Sequence, residues 1–304
     1  MTEIFQIIDG TKEFHGVKAI TKVNFSLLKG EIHSLLGENG AGKSTMTKVA
    51  AGVYQLSSGS FVFEGKETTF INPSEALNNG VVMVFQENSL VPNMTVSQNI
   101  YLGAENFFNS LAKLNIKASR FLQSLNFNVD PNLLVSQLGA AQKQMVEIAR
   151  AVHHNAKVII FDEPTATLTP EEKHHFFGLM QRLKKEEVSI VFISHALEEA
   201  LEHSDRITVL RDGELIETDK AKNFNRERIV KAMIGRDLTD SAYASKKTTH
   251  KKPRKRGKKT LEVENLSMGS MVKNSTFSAY SGQITGVFGL VGSGRTEMMK
   301  VVSG

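Results

Sequence analysis

Nine residues, GENGAGKST from Gly37 to Thr45, constrain this chain more than any other stretch. They fit the pattern G-x-x-x-x-G-K-[ST], follow the apolar run IHSLL (32–36) and lead into TMTKVAAG, which reads as a helix. A strand, a glycine-rich loop and a helix in that order make a phosphate cradle. Gly37, Gly40 and Gly42, with Asn39 between them, let successive backbone N–H groups curl around phosphate oxygens, and the helix N-terminus adds its positive end. The pattern places Lys43 on the β and γ phosphates of ATP, Ser44 on Mg²⁺ and Thr45 beside the α-phosphate.

Such a loop belongs to an α/β core, and the rest of the chain supplies one. The runs VVMVF (81–85), VIIF (158–161), SIVFI (189–193) and RITVL (206–210) alternate with helical stretches, which predicts a mainly parallel sheet flanked by helices. Residues 3–9 and SFVFEGKETTF (60–70) alternate apolar positions and predict antiparallel strands; helical spacing from about 94 to 154 predicts an inserted helical lobe. In VIIFDE the two acids follow a parallel strand, on the side where open sheets bind ligands. Asp162 therefore suits a Mg²⁺ partner, and Glu163 the group that orients or deprotonates an attacking water.

Charge and composition exclude several other classes. The net charge of +5 invites a nucleic-acid reading, but KKTTHKKPRKRGKK (246–259) holds nine Lys or Arg and no acid, and the residues before it are net acidic. A solvated, self-repelling linker accounts for that run, so no nucleic-acid partner is expected. No apolar run is long enough to span a bilayer, and the N-terminus lacks the pattern of a secretory signal. Zero cysteines rule out disulfides and thiolate metal sites. The pairs His153–His154 and His174–His175 are helix neighbours whose side chains diverge, which makes poor metal sites.

Further motifs fall in a fixed order around the loop. Phe14 lies upstream; Gln86 sits in VVMVFQENSL; QLGAAQKQMVEIARAV spans 137–152, EPTATLTP 163–170 and FISHALEEA 192–200. Across residues 1–236 this order resembles the ATPase subunit of an ABC transporter. The resemblance implies that Phe14 stacks on adenine, that Gln86 links the γ-phosphate and metal to the helical lobe, and that His195 contacts the γ-phosphate. It puts the family's signature at Leu138, Gly139, Ala140, Ala141 and Gln142.

A half-copy follows. KVNFSLLKGEIHSLLGENGAGKST (22–45) and KNSTFSAYSGQITGVFGLVGSGRTE (273–297) share the order strand, glycine turn, strand, glycine-rich loop, with Arg295 where the first copy has Lys43. The wording of the motifs resembles the double-cassette ATPases of bacterial monosaccharide importers of the ribose, galactose and xylose type. By that resemblance residues 1–240 are a first nucleotide-binding domain, 241–259 a basic linker, and 260–304 the start of a second domain, cut short, with a degenerate loop. Arg295 keeps the charge but is a bulkier, planar substitute for a lysine among phosphates.

The resemblance implies ATP and Mg²⁺ as ligands and a peripheral place on the cytoplasmic face of the bacterial membrane. Its partners would be integral-membrane permease subunits docking near residues 88–105, a second nucleotide-binding domain or dimer partner and, indirectly, a periplasmic sugar-binding protein. The signature departs from the usual Leu-Ser-Gly-Gly-Gln by losing its serine hydroxyl. With the facing loop degenerate and the second domain cut short, this chain alone is expected to bind Mg·ATP at one site and hydrolyse it slowly. A soluble ABC-type ATPase uncoupled from transport and an inactive truncated product are the competing readings.

Overall fold

A computed structural model describes residues 2–85, 89–103, 110–154, 156–235, 257–269, 272–288 and 293–304. They fall into two compact units, Met1–Asp240 and Ser241–Gly304. The first unit opens with β1 (Glu3–Phe14), β2 (Val17–Leu28), β3 (Ile32–Leu36), α1 (Lys43–Ala50), β4 (Ser58–Phe63), β5 (Lys66–Thr68), α2 (Pro73–Asn78) and β6 (Val81–Val84). Three helices follow: α3 (Val96–Tyr101), α4 (Leu111–Ser124) and α5 (Ala140–His153). It closes with β7 (Val158–Asp162), α6 (Pro170–Lys185), β8 (Ser189–Ile193), α7 (Leu197–His203), β9 (Arg206–Arg211), β10 (Glu214–Lys220) and α8 (Arg226–Ile234).

The central sheet has the order β10-β9-β3-β8-β7-β6, parallel except for the antiparallel pair β9–β10. Every residue of β3, β7 and β8 is buried, as strands covered on both faces require, and this is why they read as continuous apolar runs. A second, antiparallel sheet, β2-β1-β4-β5, packs Phe5, Phe25, Phe61 and Phe63 into one core with Leu35, Met46 and Ile160. The α/β fold with its antiparallel subdomain therefore agrees with the expectation from sequence.

One central residue breaks the apolar pattern. His33, fully buried in β3, places Nδ1 3.1 Å from Glu31 Oε1 and Nε2 2.7 Å from Thr208 Oγ1, while Arg206 Nη1 donates to the same Glu31 oxygen at 3.2 Å. Burial holds the imidazole below its ordinary pKa, opposed by Glu31. Phe25 packs on the ring at 4.8 Å, so this row of carboxylate, imidazole and hydroxyl is sealed in the core. Both ring nitrogens are paired, which offsets the penalty of burying them.

The helical lobe buries Val96, Ile100, Leu114, Ala118, Leu122 and Val146 together. Leu114, Ala118 and Leu122 recur every four residues on one face of α4. Each large side chain contributes roughly 1.5–3 kcal/mol by leaving water. Thr95 caps α3 reciprocally with Gln98, and Thr169 caps α6 with Glu172, Pro170 taking the first helical position. From α5, Glu147 Oε1 accepts from Ser89 N at 2.6 Å and Ser89 Oγ at 3.0 Å, fastening the lobe to the chain beyond β6.

In the second unit, β11 (Lys259–Met268) and β12 (Val272–Tyr280) form an antiparallel hairpin, and α9 spans Arg295–Ser303. The repeat is visible at its helix start. Gly42, at φ 98°, precedes α1 and Lys43; Gly294, at φ 77°, precedes α9 and Arg295. The expected strand over ITGVF is not formed: residues 283–288 carry no strand, and Ile284 and Phe288 are almost fully exposed. Its counterpart β3 is held between β8 and β9, far along the chain, and the described part of the second unit contains no equivalent of either.

Candidate functional site

The sheet sets up the site by ending three parallel strands at one edge. β3 runs into the loop 37–42, β7 ends at Asp162 and β8 delivers His195 two residues past its last pairing. Asp162 and Ile193 are register partners, so the segments beyond them leave the sheet side by side. A cleft of about 300 Å³ lies here, lined by Ala19, Asn39 through Thr45, Glu163 and His195.

Lys43 opens α1, and its Nζ donates back to Gly37 O at 2.8 Å and Glu38 O at 3.0 Å, arching the loop over the side chain. Burial lowers its pKa, against the pull of Glu163 and Asp162. Asp162, almost wholly buried, is raised by burial; a hydrogen bond with Ser44 draws it down, Glu163 raises it further, and Lys48 and Lys43 lower it. Its Oδ1 is buried with no hydrogen-bond partner among the described residues. An orphaned carboxylate oxygen beside a serine hydroxyl suits a hard cation that takes oxygen ligands, so Ser44 and Asp162 fit Mg²⁺.

Glu163 turns the chain with a φ of 53°, rare for a residue with a side chain, while its N–H donates to Ile193 O at 3.1 Å. Its Oε1 lies 2.5 Å from His195 Nε2. The carboxylate is mostly buried and the imidazole half exposed, so the pair faces the cleft across from Lys43 and Ser44.

The other sequence candidates lie elsewhere or outside the description. Phe14 does not line the cleft; its ring meets Tyr54 edge-on at 4.9 Å, with Lys12 Nζ 5.0 Å above it. Leu138 is buried, whereas Gly139 and Ala140 are exposed at the start of α5. Gly139 N donates to Gln142 Oε1 at 3.2 Å; glycine has no side chain to return the bond, so α5 has half a capping box. None of residues 138–142 lines the cleft. Gln86, residues 289–292 of the second loop, residues 236–240 at the end of the first domain, residues 241–256 of the linker, and residues 88, 104 and 105 of the expected docking stretch lie outside the described residues.

Two neighbours were given no role by the motifs. Tyr54 backs Phe14, and Glu199 binds the segments that carry Glu163 and His195. Glu199 lies one helical turn beyond His195, a spacing that could have drawn attention to it.

A lysine-bearing glycine loop between a central parallel strand and a helix, beside a strand-end aspartate, defines a P-loop nucleotide-binding cassette. Comparison with known proteins narrows the class. Residues 20–166 match the family described as ABC transporter. The chain is 39% identical over 306 residues to a putative ribose/galactose/methyl galactoside import ATP-binding protein of Halalkalibacterium halodurans, covering 99% of this chain and 57% of that protein. It is 42% identical over 298 residues to a galactose/methyl galactoside import ATP-binding protein of Clostridium perfringens, covering 97% and 56%. The ADP conformation of an ATP-binding cassette of an ABC transporter superposes with a TM-score of 0.66 at 28% identity, over 78% of this chain and 100% of that one. Residues 20–166 of the first unit thus carry an ABC transporter ATP-binding domain, and the chain spans just under three fifths of the length of the two sugar-import relatives.

Proposed function

We propose that this chain supplies an ATP-binding and ATP-hydrolysing cassette that energises import of a monosaccharide through a membrane permease. One observation carries the ATPase reading: Glu163 and His195 form a close pair across one cleft from Lys43 and Ser44, with Asp162 beneath. The similarity to sugar-import ATP-binding proteins supports the transport reading.

The roles follow from the chemistry of phosphoryl transfer, which asks the protein for positioning and charge stabilisation. The loop 37–42 cradles the phosphates, and Lys43 turns from Gly37 O and Glu38 O to the β and γ oxygens. Ser44 and Asp162 hold Mg²⁺, which when bound neutralises phosphate charge. Glu163 orients the attacking water and accepts its proton, while His195 steadies Glu163 and reaches the γ-phosphate. Phe14 offers the adenine a face. Gln86 relays the state of the γ-phosphate to the helical lobe.

Residues 138–142 engage the loop of a second cassette, which lends its own signature in return. The permease docks on the lobe within residues 88–105, holding the chain at the cytoplasmic face of the membrane. No helix among the described residues is long and apolar enough to cross a membrane.

Calorimetric titration with Mg·ATP and single-turnover hydrolysis test the first half. Glu163→Gln should bind Mg·ATP within about threefold of wild type and hydrolyse it about 10²–10⁴-fold more slowly. Unchanged hydrolysis would refute the assignment. For the second half, sugar uptake into ATP-loaded vesicles carrying the permease should vanish with Lys43→Ala; failure of the chain to co-sediment with permease membranes would favour an uncoupled ATPase.

A further inference from the structure

We infer that Glu199 is the positioning residue of the Glu163–His195 pair, tying together the two chain segments that carry these groups; the inference rests on the ATPase reading of the cleft. Beyond Asp162 and Ile193 the sheet ladder ends. The backbone bond from Glu163 N to Ile193 O is the last link between the segments that follows the pattern of the sheet. Past it, Glu163 turns with a φ of 53° and His195 sits half exposed. A pair held 2.5 Å apart on two segments beyond the sheet ladder needs a brace.

Glu199 supplies one from below. Its Oε2 accepts from Thr165 Oγ1 and from Ser194 Oγ, both at 2.8 Å. Thr165 lies two residues past Glu163 on one segment; Ser194 immediately precedes His195 on the other. Oε1 accepts from Lys173 Nζ on α6 at 2.8 Å, anchoring the carboxylate to a helix outside the cleft. Ser194 Oγ in turn accepts from Ala196 N at 3.0 Å, which fixes the backbone on the far side of His195. Thr165, Ser194 and Glu199 are all buried, so water does not compete for these bonds.

The chemistry calls for a carboxylate. One oxygen receives two hydroxyl donors while the other faces an ammonium, and only an acceptor-only group serves all three. Burial pushes the carboxyl up, but the bonds from Lys173, Ser194 and Thr165 together hold it below its ordinary value, so it stays ionised. A glutamine would turn its NH₂ either toward Lys173 or toward the two hydroxyls.

Glu199 touches no reacting atom, so its effect should appear in turnover and not in binding. Single-turnover hydrolysis and Mg·ATP affinity are measured on the 304-residue chain for Glu199→Ala, Glu199→Gln, Lys173→Met, His195→Ala and the double variant Glu199→Ala/His195→Ala. The expected result is a loss of about 10²-fold in rate for Glu199→Ala, the scale of a 1 Å misplacement, with affinity within about threefold. Glu199→Gln and Lys173→Met, which preserve packing, should lose about 10-fold and a few-fold respectively, on the same argument.

The double variant decides between positioning and general support. Acting by setting Glu163 and His195 relative to each other, Glu199→Ala should slow the His195→Ala background, which no longer has that pair, by less than about twofold, a strong failure of additivity. Equal factors in both backgrounds, or affinity falling with rate unchanged, would overturn the inference. If instead Glu163→Gln and His195→Ala both hydrolyse like wild type, the ATPase reading itself falls and takes this one with it. Loss of activity in those two beside a fully active Glu199→Ala would sink the positioning role alone.

Discussion

Alanine at Gly40 and at Gly42 makes a matched pair that tests the phosphate loop as built. Both glycines hold left-handed backbone, φ 85° and φ 98°, so a Cβ at either costs roughly 1–2 kcal/mol in local strain. Their surroundings differ. A Cβ on Gly40 would meet no atom within 4 Å, whereas one on Gly42 would stand 2.6 Å from Ile20 Cγ2 and 2.8 Å from Ala19 O. The side chain of Ile20 is fully buried and cannot swing away, and the Ala19 carbonyl sits in β2, which is tied at Thr21 N to Gly213 O by a 2.8 Å bond. Overpacking against such a wall adds about 1–3 kcal/mol. Gly40→Ala should therefore lower stability by about 1–2 kcal/mol and Gly42→Ala by about 2–5 kcal/mol. Urea unfolding followed by far-UV circular dichroism, with unchanged m-values, measures both. Losses equal within about 0.5 kcal/mol, or a larger loss at Gly40, would refute the packing argument.

Two other perturbations probe buried charge. Lys43→Met removes a cation whose pKa burial lowers, so the charged form is disfavoured in the fold; the variant should melt higher without nucleotide. The same change should weaken Mg·ATP binding about 10²–10⁴-fold, from two charge-assisted contacts of roughly 1.5–3 kcal/mol each; affinity within threefold would contradict the role. Burial also holds His33 below its ordinary value of 6.5, so the unfolded chain takes up that proton first. Its contribution to stability is intact above pH 6.5 and declines as pH falls from there through the lower folded value. Melting temperatures between pH 7.5 and 5.5 should drop less steeply in His33→Gln than in wild type, and parallel curves would show that His33 does not contribute.

Much of this was legible in the chain, for identifiable reasons. IHSLL, VIIF and SIVFI are buried on both faces, and these runs match the strands to within one residue, β7 extending through Asp162. Lys43, Ser44, Asp162, Glu163 and His195 converge because each sits at or just past the same end of a parallel strand, a relation that motif order encodes. Strand order is different: nothing local in β3 says that its neighbours are β8 and β9. ITGVF shows the same limit of local sequence, since its apolar spacing reads as a strand while Ile284 and Phe288 stand in water and residues 283–288 carry no strand. His33 reads as a polar flaw in an apolar run until Glu31 and Thr208 are seen on either side of it. Glu199 reads as one acid of several in SHALEEA, because its donors come from Thr165, Lys173 and Ser194 on three separate segments.

The pairing of β3 has a temporal side. Ile32 lies against Ile190, and Leu36 against Val209, so the strand that presents GENGAGKST is held by residues made late. During synthesis the loop leaves the ribosome early, while the β1–β2 hairpin can close from neighbouring sequence. The cradle must wait for chain through Arg211, and closing so long a loop makes that step slow. Nucleotide can then reward only a nearly complete first unit, which makes ATP a ligand of the finished fold and no help to the nascent one.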